Sequence, residues 1–195
     1  MKKSIRYWGQ YMTVEEIYSK ITSHMVKGMM IHSQMADYYR FLNLDGYACC
    51  HEYHFLKETK SYRKLSNKYI KEHNKLIPDI HIETPSVIPD GWYKHTRQEI
   101  DGNTVKTGVK NGLDMWVNWE RETKELYEEM YRELLDNGEI CDTIIVRELV
   151  CDVDKELSKA EKYQLNKEFI GYDIGTIVEE QKHKKEKYLE KMKEV

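Results

Sequence analysis

Residues 34–58, QMADYYRFLNLDGYACCHEYHFLKE, decide the fold. Met35, Tyr39 and Leu42 fall at helical spacing and run into Asn43-Leu44-Asp45-Gly46. A second seam then starts at once with Tyr47, His51, His54 and Glu58. Asparagine and glycine tolerate the left-handed backbone that ends one helix and lets the next begin. A turn this short predicts two helices lying antiparallel.

Working outward, both helices are long. Thr13-x-x-Glu16 after Met12 is a capping box. The seam Val14, Tyr18, Ile21, Met25, Gly28, His32, Met35, Tyr39, Leu42 predicts a helix over about 13–42. The second helix is predicted over about 47–76, ended by Pro78. Pro85, Pro89, Asp90-Gly91 and Asp101-Gly102 then mark a long connection with room for a small hairpin around Asp101-Gly102. A connection this long has a task in a compact domain, and spanning a bundle is one. A third helix follows over about 112–136, with the seam Leu113, Trp116, Glu120, Thr123, Tyr127, Met130, Leu134, and stops at Asn137-Gly138. The fourth covers about 139–166. After Gly171 and Gly175, a last helix over about 176–195 has few apolar residues and reads as peripheral or frayed. The expected organisation is a lead-in over 1–12, a four-helix bundle over 13–166 with its crossover at about 78–111, and a linker plus peripheral C-terminal helix over 167–195.

Composition agrees with an all-α chain. Of 195 residues, 33% are charged and 40% hydrophobic, with only 3 Pro and 10 Gly. A net charge of -3 gives no whole-chain case for nucleic acid. No apolar run reaches the ~18 residues of a membrane span, and the N-terminal stretch lacks the apolar core of a signal peptide. Cys49, Cys50, Cys141 and Cys151 lack a paired metal spacing. They read as reduced, mostly packed thiols, which places the chain in the cytoplasm. Trp92, Trp116 and Trp119 are expected to seat the crossover on the third helix.

Three carboxylates interrupt apolar seams: Glu58 among His54, Phe55, Tyr62 and Leu65, Glu120 in the third helix, and Asp154 between Val150 and Leu157. A lone buried carboxylate is costly unless paired, protonated or bound to metal. Three on separate helices point to a bundle that gathers them. Glu120 is expected to meet Arg147, a histidine cation or a metal, any of which lowers its pKa.

Gln34-Met35-Ala36-Asp37-Tyr38-Tyr39, Leu44-Asp45-Gly46-Tyr47 and Lys57-Glu58 resemble the stretch of the ferritin-like superfamily from mid first helix to the second-helix metal glutamate. Trp119-Glu120-Arg121-Glu122 resembles the third-helix segment, so the likeness covers roughly residues 13–165. It implies a ferritin-like four-helix bundle with a long crossover between helices 2 and 3. It also implies a di-iron site with a first-helix glutamate and Glu-x-x-His on the second helix. Here those positions hold Met25 and Glu58-x-x-Ser61. Asp154 stands within about one turn of the fourth-helix ligand position. One carboxylate and one histidine are missing, so ordinary ferroxidase turnover is not expected.

Histidines are instead shifted along the helices. His32 follows Met25 by seven residues, and His51 and His54 precede Glu58 by seven and four. In antiparallel helices these shifts reach one level, about two turns from the altered site. Glu161, seven after Asp154, reaches the same level if the fourth helix runs parallel to the first. Three readings follow: a displaced site for iron, manganese or zinc using His32, His54, Glu58 and Glu161, with Glu120 and Asp154 as candidate metal ligands at the family's own third- and fourth-helix positions; a buried hydrogen-bonded network; or residues left in solvent. Gly28 leaves room for a ligand or for close helix approach.

Three functions fit this sequence. The first is a diverged ferritin-like protein that binds a partner, itself, or a metal at a modified core site. The second is a metal-dependent oxidase or iron-handling enzyme. The third is a small inhibitor or accessory protein of a mobile genetic element acting through protein contacts. The first is the main reading; it leans against enzymatic activity without deciding it.

Overall fold

The computed structural model describes residues 12–78, 80–81, 86–88, 92 and 95–195. The lead-in over 1–11, Pro85, Pro89 and Asp90-Gly91 lie outside the described residues. The helices are α1 Val14–Phe41, α2 Asp45–His73, α3 Gly102–Asp136, α4 Ile140–Phe169 and α5 Ile174–Met192. No strand occurs among the described residues. The molecule is an all-α four-helix bundle with an additional C-terminal helix.

The capping box forms as read. Thr13 accepts from the Glu16 amide at 3.2 Å, and the Glu16 carboxylate accepts from the Thr13 amide at 2.7 Å. α1 ends at a turn in which Asn43 has φ 58°, and α2 returns antiparallel against it. The crossover climbs back along α1. His81 donates its amide to Ser23, Val87 to Gln34, and Arg97 donates to the Arg40 carbonyl at 2.7 Å. These partners advance along α1 in chain order, so the crossover spans the bundle and α3 starts at the end where α1 finished. α3 then packs against α1 and α4, and α4 runs parallel to α1.

α3 begins at Gly102 rather than near Gly112, and no hairpin forms at Asp101-Gly102. Asp101 instead caps the helix, accepting from the Thr104 amide at 2.7 Å. Glycine and β-branched residues give residues 102–111 weak helix propensity. Packing overrides it: Val109 is fully buried, and Gly108 and Gly112 lie against Leu42, Tyr38 and Tyr39. α5 is more than a fringe. It packs along α2, buries Ile177 and Tyr188 completely, and sets the Gln181 backbone against Gly46, where no side chain would fit. No helix among the described residues is long and apolar enough to cross a membrane.

The interior divides in two. One apolar cluster surrounds Met35, Tyr39, Leu113, Trp116 and Tyr188. The other surrounds Ile17, Ile21, Met25, Leu65, Tyr127 and Met130. Each fully buried large apolar side chain contributes about 1.5–3 kcal/mol. Where the clusters meet, the bundle has a polar waist.

Candidate metal centre

The seams carry polar residues to this waist from four helices. His32 comes from α1, His51 and His54 from α2, Glu120 and Thr123 from α3, all at most 4% exposed. α4 supplies Glu156, whose side chain is 17% exposed. One ligand atom each of His32, His54 and Glu120 lie within 4.8 Å of one another. The His32 and His54 rings stack at 5.2 Å. His32 Nδ1 meets His51 Nδ1 at 3.1 Å, so one ring donates and the other accepts. That bond fixes the His32 ring and leaves its Nε2 free of that role, the way an outer histidine orients a ligand. Trp116 donates its indole N–H to Glu120 at 2.8 Å. On the other side of His54 and Glu120 lies a cavity of about 40 Å³ between α2, α3 and α4, large enough for a water or an ion. Glu58, Ser61, Lys57, Asp152 and Glu156 line it.

Burial sets the charge states. It drops His32 to about 3 and holds His51 and His54 well below the usual imidazole value, so all three are neutral. Burial raises Glu120 to about 8, with the Glu58 charge adding to the rise, and raises Glu58 to about 7. The expected fall in the Glu120 pKa is therefore reversed: Arg147 is exposed, and the neighbouring histidines are uncharged. Glu156 behaves differently. Burial alone would raise it, but Lys159 and Lys57 hold it below the usual carboxylate value. Lys57 donates to it at 2.9 Å and Lys159 at 3.0 Å. Lys159 also donates to His54 Nε2 at 3.3 Å.

The structure sorts the sequence candidates. His32, His54 and Glu120 converge, and half-buried Glu58 lines the adjoining cavity. Asp154 and Glu161 do not join them. Asp154 is exposed and paired with Lys124, and Glu161 is exposed and paired with Arg121 at 3.1 Å. The fourth-helix acid facing the waist is Glu156, which the sequence reading missed. Its signal was present in the seam Asp142, Val146, Leu149, Val153, Glu156, Ala160, Tyr163, Lys167, whose alternating steps of four and three exclude Asp154. Trp116 and Trp119 point inward, Trp119 stacking on His24 at 4.3 Å. Of the three, Trp92 alone belongs to the crossover, and it does seat it on α3, beside Gly108, while packing against Tyr38 at 5.1 Å. Gly28 serves helix approach, since a Cβ there would stand 2.8 Å from Trp119. Cys49 and Cys50 are buried, whereas Cys141 and Cys151 are exposed rather than packed, and all four are free thiols.

These residues do not fit a di-iron centre. Met25 is buried in the apolar cluster below the waist, Ser61 offers only a hydroxyl, and Asp154 faces outward. Two neutral imidazoles and one carboxylate, with a second carboxylate near, do fit one divalent cation. An ion taking His54 through Nε2 has to displace the Lys159 ammonium.

No protein-family model matches the chain, and no curated protein matches it. Solved structures do. An open-pore ferritin from the hyperthermophilic archaeon Archaeoglobus fulgidus superposes with a TM-score of 0.72 at 12% identity, covering 87% of this chain and 93% of that one. A closed form of the same ferritin, engineered by mutagenesis, gives 0.72 at 12% identity over 88% and 93%. A humanized archaeal ferritin gives 0.72 at 12% over 88% and 94%.

Proposed function

We infer that the chain acts as a diverged protein on a ferritin-like fold. We propose that this chain binds one divalent cation, iron, manganese or zinc, through His32, His54 and Glu120, and that it lacks ordinary ferroxidase turnover. The observation that carries this reading is the convergence of those three buried side chains, with His51 orienting His32. Glu58 is the reserve carboxylate across the cavity. A cation at the waist neutralises acids that otherwise keep their protons because burial and mutual repulsion disfavour their charge. Free, buried Cys49 and Cys50 suit a reducing compartment, in keeping with a cytoplasmic protein.

Metal analysis of protein purified without chelator, followed by calorimetric titration of stripped protein with zinc and manganese, tests this. One equivalent per chain that depends on His54 and Glu120 supports it. No bound metal and no heat of binding would remove it. Rapid ferrous oxidation in air would move the assignment to the enzymatic alternative, a metal-dependent oxidase.

A second reading is action by protein contact, either self-association or an inhibitor or accessory role. Ile140 is 70% exposed, Ile144 60%, Leu165 66% and Phe169 91%. Large apolar side chains left in water favour association. Light scattering across a concentration series tests for self-association, and a strictly monomeric chain would count against it.

A further inference from the structure

At the end of the bundle far from the α1–α2 turn, a second cluster has no part in the waist. Asp142, in the first turn of α4, is only 2% exposed. Tyr18 of α1 donates its hydroxyl to Asp142 Oδ1 at 2.5 Å. His73, the last residue of α2, places Nε2 3.3 Å from both Asp142 oxygens. Glu72 adds a carboxylate, and one ligand atom each of Glu72, His73 and Asp142 lie within 4.8 Å of one another.

At 3.3 Å the His73–Asp142 contact is a long hydrogen bond and ion pair, and its length also suits two ligands of one ion. Two ligands on a tetrahedral ion with bonds of about 2.0–2.1 Å stand about 3.3–3.4 Å apart. One histidine and two carboxylates are a zinc-type ligand set. A second observation points the same way. The Tyr69 hydroxyl is fully buried without a hydrogen-bond partner, and its ring packs on Tyr18 at 4.7 Å and on His73 at 4.7 Å. Buried hydroxyls are ordinarily satisfied, and a water carried on an ion beside His73 supplies a partner.

We infer that Glu72, His73 and Asp142 form a second divalent-cation site, of zinc type, that ties the end of α2 to the start of α4. Tyr18 orients Asp142 from outside the ligand set. Glu72 exchanges its ion pair with Lys68 for the metal.

Cobalt(II) and zinc titrations of chelator-treated full-length protein test this apart from the waist. The Glu120→Gln variant should retain one equivalent of cobalt with the intense visible bands of tetrahedral coordination. Adding His73→Gln should weaken that binding by about tenfold or more and abolish the bands. His73 is partly exposed, so this change leaves folding intact, which circular dichroism verifies. Glu72→Gln should weaken binding more modestly. In the parent, zinc should raise the melting temperature, and His73→Gln should remove part of that rise. Absence of cobalt binding in Glu120→Gln, or unchanged affinity and spectrum when His73→Gln is added, would overturn the inference. Loss at His73 with no effect of Glu120→Gln on stoichiometry would retain this site and discard the waist site.

Discussion

Acids of α3 and α4 behave oppositely according to the face they occupy. At the waist, Glu120 is buried against neutral imidazoles and an indole, and keeps its proton to about pH 8. On the outer face, Asp154 and Glu161 sit in water, each paired with a lysine or arginine. The residue type is the same, but dielectric and partners differ. An exposed pair contributes roughly 0–1 kcal/mol. A buried acid that keeps its proton, with no ion pair of its own, is a poised binding group, because its charge becomes favourable only when a cation reaches it. The contrast teaches that an acid's role in a helical bundle follows from its phase in the seam, not from its proximity in sequence to a ligand position.

The largest effect that could break this contrast is in iron chemistry. Ferrous oxidation in air should be slower than that of a true ferritin by roughly 100-fold or more, beyond the 10–100-fold cost of losing groups that orient ligands. Comparable rates, followed by absorbance at fixed protein, would show that the waist residues rebuild a working oxidation centre.

Next comes affinity. His54→Ala and Glu120→Ala should each weaken zinc or manganese by more than about tenfold, or 1.4 kcal/mol. Ser61→Ala, Asp154→Ala and Glu161→Ala should change it by less than about twofold, within the small range of surface substitutions. Lys159→Met should tighten binding severalfold, since the ammonium beside His54 Nε2 opposes an incoming cation. Calorimetry on the set decides, and an outer-face variant that matched Glu120→Ala would end the distinction.

The pH dependence of stability sharpens it further. Folded Glu120 holds its proton to about pH 8, while the unfolded carboxyl releases it near 4.5. Between those values the native state binds more protons, so stability falls as pH rises. His24 and His32, at about 3 in the fold against 6.5 unfolded, act in the opposite sense, and stability falls as pH drops from 6.5 toward 3. Metal-free protein should therefore be most stable in mildly acidic solution. Glu120→Gln should remove much of the loss on the alkaline side, a gain on the order of a few kcal/mol. Chemical denaturation across that range measures it. Smallest of all, Asp154→Asn should shift stability by about 0.5 kcal/mol or less at any pH, and less still in high salt.

The helices were legible because periodicity, a capping box and the Asn43–Gly46 turn agree with one another. Every residue of the α1 seam from Tyr18 to Leu42, and of the α3 seam from Leu113 to Leu134, is buried. The first ten residues of α3 were not legible, because their local propensity is poor and it is packing against distant residues such as Tyr38, Leu42 and Trp92 that makes them helical. α5 misled for a related reason. Buried Lys167 and Lys184 share Glu180 there, so a lysine-rich sequence conceals a packed face.

The sequence by itself determined an all-α bundle, the antiparallel first pair, and the level at which His32, His51 and His54 meet, since a helix fixes height and face for its own residues. Only the tertiary structure decided which acid of α4 turns inward, that Lys57 and Lys159 accompany it, and that burial leaves Glu120 protonated. Those outcomes depend on the rotation of one helix against another and on the water excluded between them, which arise only once the helices are packed.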